Sequence, residues 1–284
     1  MKTQPTRRNF LGAAAGIAGL SAAGLPPASA RVVPEPWGLK LGIATYTFRK
    51  FDRAKCIELL KQCQTPWVGI KDGVHIPYTD SPAQLKQDRM EFDAAGFKVS
   101  SVGNVNLGKD DPAYLRSRFE YVKNIGAPLM VCIPTHANIK TVEGLVKEFD
   151  QRIAIHNHGP EQKDFPNPQS VLEVVHDMDP RVGLCVDVGH TARTGVDVVE
   201  SIALAGNRLF ELHVKDLRSF KDKASQCDCG EGLMPFPAIF KQLKKMNFQG
   251  CINLEYEIHA DDPLPGVLRS LSYMRGVLDG LAAA

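Results

Sequence analysis

The sequence predicts an α/β fold, a closed (β/α)8 barrel in a single domain. Eight short apolar runs recur along the chain with helical segments between them, and the last four runs end in His, Asp or Glu. Residues 31–284 have about the length of one such barrel. The main competitor, an open doubly wound sheet, needs a glycine-rich phosphate turn after its first strand, and residues 45–49 contain no glycine.

The strands are predicted from runs of branched apolar residues that are short enough to be buried strands. No other run of the chain competes with these eight. Their predicted ranges are 41–48, 67–72, 98–105, 128–134, 152–158, 182–188, 209–215 and 250–256.

The intervening helices are predicted from capping residues and apolar spacing. Ser81 and Asp111 each precede a proline, the favoured first residue of a helix, and Gly96 and Gly126 end those helices. Ser170 precedes a third apolar repeat, and residues 236–246 carry a fourth at helical spacing. Residues 218–232 form the longest irregular stretch and are expected to cover the site.

The first thirty residues indicate an export signal rather than part of the fold. Arg7 and Arg8 form a twin-arginine pattern, an Ala/Gly/Leu stretch follows, and residues 28–30, Ala-Ser-Ala, give a cleavage signal. The apolar stretch is too short and too rich in glycine for a stable membrane anchor. We therefore expect a twin-arginine signal peptide at 1–30, a barrel at 31–284 and a periplasmic or exported location.

Composition narrows the choice of partners. Removing the signal changes the net charge from +2 to −1, because it carries Lys2, Arg7 and Arg8 and no acid. A nearly neutral surface without a basic run argues against nucleic acid and favours a small, neutral or weakly charged substrate. The seven cysteines lack the spacing of a disulfide framework. The sequence is also compatible with a homo-oligomer.

The strand ends carry groups that bind a metal ion. Asp187, His213 and Glu255 end strands six, seven and eight, so they meet at the barrel mouth. Two carboxylates and an imidazole suit one divalent ion such as Mn²⁺, Co²⁺ or Zn²⁺ better than Mg²⁺. A fourth ligand is expected from strand five, where His156 and His158 lie two residues apart and project to the same side. The alternative is a set of hydrogen-bonded structural residues.

Other polar residues at the same ends are candidates for catalysis or substrate binding. His158, His190, Lys215 and Glu255 are the candidate catalytic groups, since each lies in or beside the predicted metal cluster. A solvated lysine and structural histidines are the alternatives. The candidate substrate contacts come from the ends of strands one, two, three and eight, and they are Tyr46, Arg49, Lys71, His75, Asn104 and Glu257.

Five motifs together resemble a known family. They are Lys-Asp-Gly-Val-His-Ile-Pro at 71–77, Ile-His-Asn-His-Gly-Pro at 155–160, Asp-Val-Gly-His at 187–190, His-Val-Lys-Asp at 213–216 and Glu-Tyr-Glu at 255–257. The chain resembles the sugar phosphate isomerase/epimerase superfamily, the xylose isomerase-like TIM barrels, from residue 42 to 266. It is most similar to an exported subgroup that carries the Ile-His-Asn-His-Gly motif.

This resemblance implies a divalent metal ion held by four strand-end ligands and proton transfer at a carbon next to a carbonyl. By position Asp187, His213 and Glu255 are ligands and His190 contacts substrate. The fourth ligand is expected at His156, with His158 as the alternative. Typical epimerases of the superfamily have a glutamate at the position of His156, where it is both a ligand and one of two opposed bases. The histidine favours a one-base reaction, either aldose–ketose isomerisation or β-elimination from a keto-sugar.

We therefore expect a metal-dependent sugar isomerase or epimerase. The alternatives are a lyase that cleaves 3-keto-glycosides by β-elimination and, in another class, a non-catalytic sugar-binding barrel. A nuclease of the endonuclease IV type is disfavoured, because the chain lacks the basic surface that faces DNA.

Overall fold

The structure is a computed structural model that describes residues 35–284. The predicted signal peptide at 1–30 and the first residues after it lie outside the described residues. Within the described part, no helix combines the length and apolar character that a membrane span requires.

Eight parallel strands close into a barrel, which confirms the predicted fold. In chain order the strands are β1 (Lys40–Ala44), β2 (Trp67–Ile70), β3 (Lys98–Asn106), β4 (Leu129–Ile133), β5 (Arg152–His156), β6 (Val182–Asp187), β7 (Leu209–Val214), β8 (Asp216–Leu217), β9 (Gln226–Cys227) and β10 (Cys251–Leu254). The ring order is β1-β10-β7-β6-β5-β4-β3-β2, and pairing of β1 with β10 closes it. The short strands β8 and β9 form a separate antiparallel pair.

Helices lie between the barrel strands, and side-chain caps start several of them. Ser81 and Asp111 accept hydrogen bonds from backbone N–H groups of the first turn, as predicted. The fifth helix begins earlier than predicted, because Asn167 caps it and Ser170 completes a reciprocal capping box. The helices are α1 (Arg53–Gln62), α2 (Pro82–Ala94), α3 (Pro112–Ile125), α4 (Ile139–Phe149), α5 (Pro168–Val175), α6 (Val188–Arg193), α7 (Val198–Ala205), α8 (Phe236–Lys245) and α9 (Leu264–Ala283).

Most barrel strands end one to four residues before their predicted carboxyl ends. The first strand stops at Ala44, and residues Thr45–Phe48 form a turn of 3₁₀ helix. Side chains in this turn satisfy the backbone of neighbouring strand ends. Thr45 Oγ1 accepts from the Lys71 N–H at 2.8 Å, and Thr47 Oγ1 accepts from the Tyr256 N–H at 3.0 Å. The mouth is therefore held by hydrogen bonds between loops rather than by further strand pairing.

The predicted irregular stretch at 218–232 contains β9 and borders the mouth. The buried Asp216 carboxylate accepts hydrogen bonds from the backbone N–H groups of Gly230, Gly232 and Met234, which fixes the loop against β8. Gln226 extends to the end of β10, where its amide donates to the Glu255 carbonyl at 2.9 Å. The loop supports the backbone that carries two of the predicted site residues.

Candidate active site

Four predicted metal ligands come together at the carboxyl ends of four adjacent barrel strands. His156 ends β5 and Asp187 ends β6. His213 is the penultimate residue of β7, and Glu255 follows β10 directly. One ligand atom from each side chain lies within 4.8 Å of the others, and all four side chains are buried. Because the ring order is β5-β6-β7-β10, residues far apart in sequence share one small volume.

Four candidate ligand atoms of this cluster lack hydrogen-bond partners among the described residues. Both ring nitrogens of His156 and Nδ1 of His213 are buried without one, and so is Oδ2 of Asp187, which is in ionic contact with Lys215. Nδ1 of His213 lies 3.5 Å from Glu255 Oε1, and Nε2 of His156 lies 3.5 Å from Asp187 Oδ2. Unpaired buried polar atoms are costly, so the cluster fits a cation that these atoms can surround. Two imidazoles and two carboxylates suit a borderline divalent ion.

Lys215 lies beside the cluster and contacts three carboxylates. Its Nζ is 3.1 Å from Asp187 Oδ2 and 2.9 Å from Glu255 Oε2, and it also pairs with Glu257. Burial disfavours the ammonium, yet these carboxylates outweigh it and hold the pKa of Lys215 well above its usual value. The aliphatic stem crosses Gly189, where a Cβ would lie 2.6 Å from the lysine Cγ. This close approach explains the glycine of the Asp-Val-Gly-His motif.

Protonation in the cluster follows from burial and charge. Burial lowers the pKa of His156 to about 4 and that of His190 to about 3, so both rings are neutral at pH 7. Burial would raise the pKa of the Asp187 and Glu255 carboxyls, but the Lys215 ammonium outweighs it and holds both well below their usual range. His156 and the two carboxyls are thus in the forms that bind a metal ion. For His213, nearby thiol and acidic side chains outweigh burial and hold the pKa well above its usual value, so this ring must release a proton to bind an ion.

A cavity of about 540 Å³ opens above the cluster, within the range of small-molecule sites. Seven of the predicted site residues line this cavity, and Glu255 is the one candidate metal ligand among them. The side chains of His156, Asp187, His213 and Lys215 lie behind the cavity wall. The remaining walls come from the ends of β3 and β4 and from the loop after β5. The predicted lining residues are Tyr46, Lys71, Asn104, His158, His190, Glu255 and Glu257.

His158 and His190 form one wall of the cavity. Their rings stack with centroids 4.5 Å apart, and the His158 ring lies 5.2 Å from that of His156. The Nδ1 atom of His158 is buried and has no hydrogen-bond partner in the described chain. The structure thus separates the two histidines of strand five: His156 belongs to the four-residue cluster, and His158 faces the cavity. No protein group within the described residues therefore fixes the protonation of this nitrogen.

Lys71 and Asn104 provide polar groups on the wall formed by β2 and β3. The Lys71 ammonium pairs with the buried Asp72 carboxylate, which also accepts a hydrogen bond from the Tyr78 hydroxyl. Asn104 Oδ1 is buried and unpaired among the described residues. Tyr46 lies beside this wall, with its ring centroid 5.9 Å from Lys71 Nζ. The cavity therefore has hydrogen-bonding groups opposite the metal cluster.

Two predicted substrate contacts do not line the cavity. His75 is fully buried, where its Nδ1 accepts from the Thr45 hydroxyl at 2.8 Å and its Nε2 faces the Phe48 carbonyl at 3.3 Å. Arg49 donates to the backbone carbonyls of Tyr46 and Glu257. Both side chains support the loops that form the mouth, so their positions do not support direct contact with substrate. Hydrogen bonds within the protein already use the polar atoms that the sequence suggested for a sugar.

Sequence reasoning missed several residues of the site. Glu211 lies beneath His213 and shares its inward face, a relation that the spacing of two residues could have revealed. Asn106 likewise follows Asn104 by two residues on β3. Gln162 and Asp164 line the cavity from the loop after β5, and no periodic pattern points to residues in such a loop.

Comparison with known proteins places this geometry in a family. The family model described as "Xylose isomerase-like TIM barrel" matches residues 72–277, most of the barrel. The chain belongs to the xylose isomerase-like TIM barrel family.

Several known relatives and structures are similar to this family member. It is 31% identical to an uncharacterized protein of Methanocaldococcus jannaschii over 199 residues, 64% of this chain and 63% of that protein. It is 26% identical to an inosose dehydratase of Mesomycoplasma hyopneumoniae over 152 residues, 46% of this chain and 50% of that enzyme. The chain thus spans about half to three fifths of the length of these curated relatives.

Solved structures share the fold at low sequence identity. The IolI protein with a bound zinc atom superposes with a TM-score of 0.71 at 17% identity, covering 85% of this chain and 99% of that one. The 3-keto-D-glucoside 4-epimerase of E. coli superposes with a TM-score of 0.65 at 15% identity, covering 84% and 99%.

Proposed function

We propose that this protein is a metal-dependent enzyme that transfers a proton next to a carbonyl of a small carbohydrate, as an isomerase or epimerase. The observation that carries the proposal is the buried cluster of two imidazoles and two carboxylates at the floor of a polar cavity. The proposal is supported by the similarity to an inosose dehydratase and to a 3-keto-D-glucoside 4-epimerase, since both names describe small polyhydroxylated substrates.

In this proposal His156, Asp187, His213 and Glu255 hold one divalent ion, with Mn²⁺, Co²⁺ or Zn²⁺ preferred over Mg²⁺. A bound ion would supply Lewis acidity that polarises the oxygens of the sugar. The excess of negative charge in the cluster, where Asp187, Glu255 and Glu257 share the single ammonium of Lys215, supports binding of a cation.

His158 is the proposed general base. Its ring lines the cavity, and its buried Nδ1 has no hydrogen-bond partner among the described residues, so the imidazole can take a proton from the carbon next to the carbonyl and return it to the neighbouring carbon. His190 stacks on this ring and holds its plane. Lys215 remains an ammonium that neutralises part of the charge of Glu255 and Glu257, which it touches, rather than acting as a base.

The charges around the cavity favour an unphosphorylated sugar. Among the lining side chains, Lys71 is the single cation, and Asp72 already pairs with it, whereas Asp164, Glu255 and Glu257 are acidic. A phosphate would meet carboxylates in place of the arginine or lysine clusters that bind phosphate. Lys71, Asn104 and Tyr46 would then bind and orient sugar hydroxyls.

The test combines metal analysis with proton exchange. The purified protein is measured by metal mass spectrometry and then followed by proton NMR in D₂O with a panel of free sugars. About one divalent ion per chain, together with deuterium at the carbon next to a carbonyl, is the expected result. A chain that binds no metal and exchanges no proton, yet retains a sugar, would instead be a non-catalytic sugar-binding barrel.

A second candidate is a lyase that cleaves 3-keto-glycosides by β-elimination, and the residue at position 156 favours it. A histidine there leaves the site without a second glutamate opposite Glu255, so a reaction with one base fits the donor set. Lys71 lies across the cavity, where its ammonium could protonate a leaving oxygen. Release of an aglycone from a 3-keto-glycoside in the same NMR experiment would identify the lyase, because isomerisation conserves mass.

We also propose that the chain is exported through the twin-arginine pathway to the periplasm, on the basis of residues 1–30. Fractionation of cells that express the full chain is the test. Replacing Arg7 and Arg8 by lysine should retain the protein in the cytoplasm, and unchanged export would refute the proposal.

A further inference from the structure

The layer of side chains directly beneath the metal cluster contains a buried carboxylate that the proposed reaction does not use. Glu211 lies on β7, two residues before His213, so both side chains project into the barrel. Its exposed fraction is 1%, and its Oε1 lies 3.4 Å from His213 Nε2. Among the described residues, His213 is its one partner in an ion pair.

The far wall of the barrel holds this carboxylate in place. Ser101, on β3, donates its hydroxyl to Glu211 Oε1 at 2.7 Å. Gly69, on β2, leaves room for that contact, since a Cβ there would lie 2.9 Å from the serine oxygen. Such a contact across the barrel interior orients Glu211 towards the His213 ring.

The two nitrogens of His213 face different partners. Nδ1 is unpaired and lies 3.5 Å from Glu255 Oε1, within the metal cluster, whereas Nε2 faces Glu211. A nitrogen that binds a metal ion must be unprotonated, so the ring proton then resides on the other nitrogen and needs an acceptor. The Glu211 carboxylate is in position to be that acceptor.

We propose that Glu211 is a positioning residue that fixes His213 in the tautomer with the proton on Nε2 and so presents Nδ1 to the ion. This inference rests on the proposed function, because it requires that the cluster bind a metal. The adjacent negative charge also increases the electron density of the imidazole and strengthens its bond to a cation.

The test measures Zn²⁺ affinity by competition with a chromophoric chelator, and the His213 tautomer by ¹H–¹⁵N NMR of Zn²⁺-loaded, ¹⁵N-histidine-labelled protein. The His213 signal is assigned by its loss in His213→Ala. Glu211→Leu removes the acceptor at similar volume and should weaken Zn²⁺ binding about 10- to 100-fold, with loss of the protonated-Nε2 signal. Glu211→Gln keeps an acceptor oxygen without the charge and should lose about tenfold, the lower end of that range, with the signal retained.

Asn253→Ser is the matched control, since Asn253 is also buried two residues before a proposed ligand and bonds Ser100 rather than His213. Its Zn²⁺ affinity should equal that of the wild-type protein. Wild-type affinity and an unchanged His213 signal in Glu211→Leu would overturn the inference, as would wild-type affinity in Glu211→Gln if the leucine variant does not fold. Failure of the wild-type protein to bind any of the candidate ions would instead count against the proposed function.

Discussion

Replacing Lys215 by methionine tests the charge balance of the site. The change keeps most of the aliphatic stem that packs against Gly189 and removes the ammonium that pairs with Asp187, Glu255 and Glu257. The exposed fraction of the Lys215 side chain is 4%, and those of Asp187 and Glu255 are 0% and 6%. Water therefore cannot replace the lost partner at the two inner carboxylates.

The magnitude follows from breaking a buried ion pair. Leaving one partner uncompensated costs about 3–5 kcal/mol of unfolding free energy, and this loss is expected for metal-free Lys215→Met. Lys50→Met is the control, because Lys50 pairs with Asp261 at the surface, where side-chain exposures are 52% and 84%. An exposed pair contributes about 0–1 kcal/mol.

The assay is urea unfolding followed by circular dichroism, with a chelator and then with Zn²⁺. An ion that binds only the folded state at 100 times its dissociation constant adds about 2.7 kcal/mol. The added stability should be larger in Lys215→Met than in the wild-type protein, because the ion no longer competes with an ammonium for Asp187 and Glu255. A loss in Lys215→Met no greater than in Lys50→Met would refute this account.

Three further perturbations address single residues. Glu255→Gln should abolish bound metal and proton exchange. The control Glu231→Gln, at an exposed ion pair with Arg218, should change neither. Full metal occupancy with native turnover in Glu255→Gln would exclude Glu255 as a ligand. Asn104→Ala should raise KM about fivefold, from the loss of a net hydrogen bond of about 1 kcal/mol, without changing metal content measured by mass spectrometry. For His75, burial lowers the pKa to about 4, so the unfolded chain takes up a proton first as pH falls below about 6.5. Between pH 7 and 4.5, His75→Gln should therefore lose about 2–3 kcal/mol less unfolding free energy than the wild-type protein, and equal losses by urea titration would contradict this role.

Local sequence patterns were sufficient to predict the fold. Ser81 and Asp111 cap helices as expected, because a cap depends on residues within one turn. The eight strands were found because a buried parallel strand must be apolar on both faces. Their ends were less well predicted: the run at 41–48 continues through Thr45 and Phe48, yet the backbone turns after Ala44.

The candidate site was predictable where the strand ends determine it. His156, Asp187, His213 and Glu255 were chosen because carboxyl ends of parallel strands converge, and their side chains do come together. His75 shows the limit of this reasoning. It follows β2 as closely as a cavity residue would, but Thr45 and the Phe48 carbonyl bind its ring inside the mouth.

The sequence by itself determined which residues form strands and which side chains lie at their ends, because both depend on local periodicity and on the direction of the chain. Only the tertiary structure decided which of those side chains face the cavity and which face each other. Glu211 becomes a partner of His213 through Ser101 on the opposite wall, and Lys215 turns behind Glu255 instead of into the cavity. These contacts depend on distances across a closed barrel, between residues that are remote in sequence.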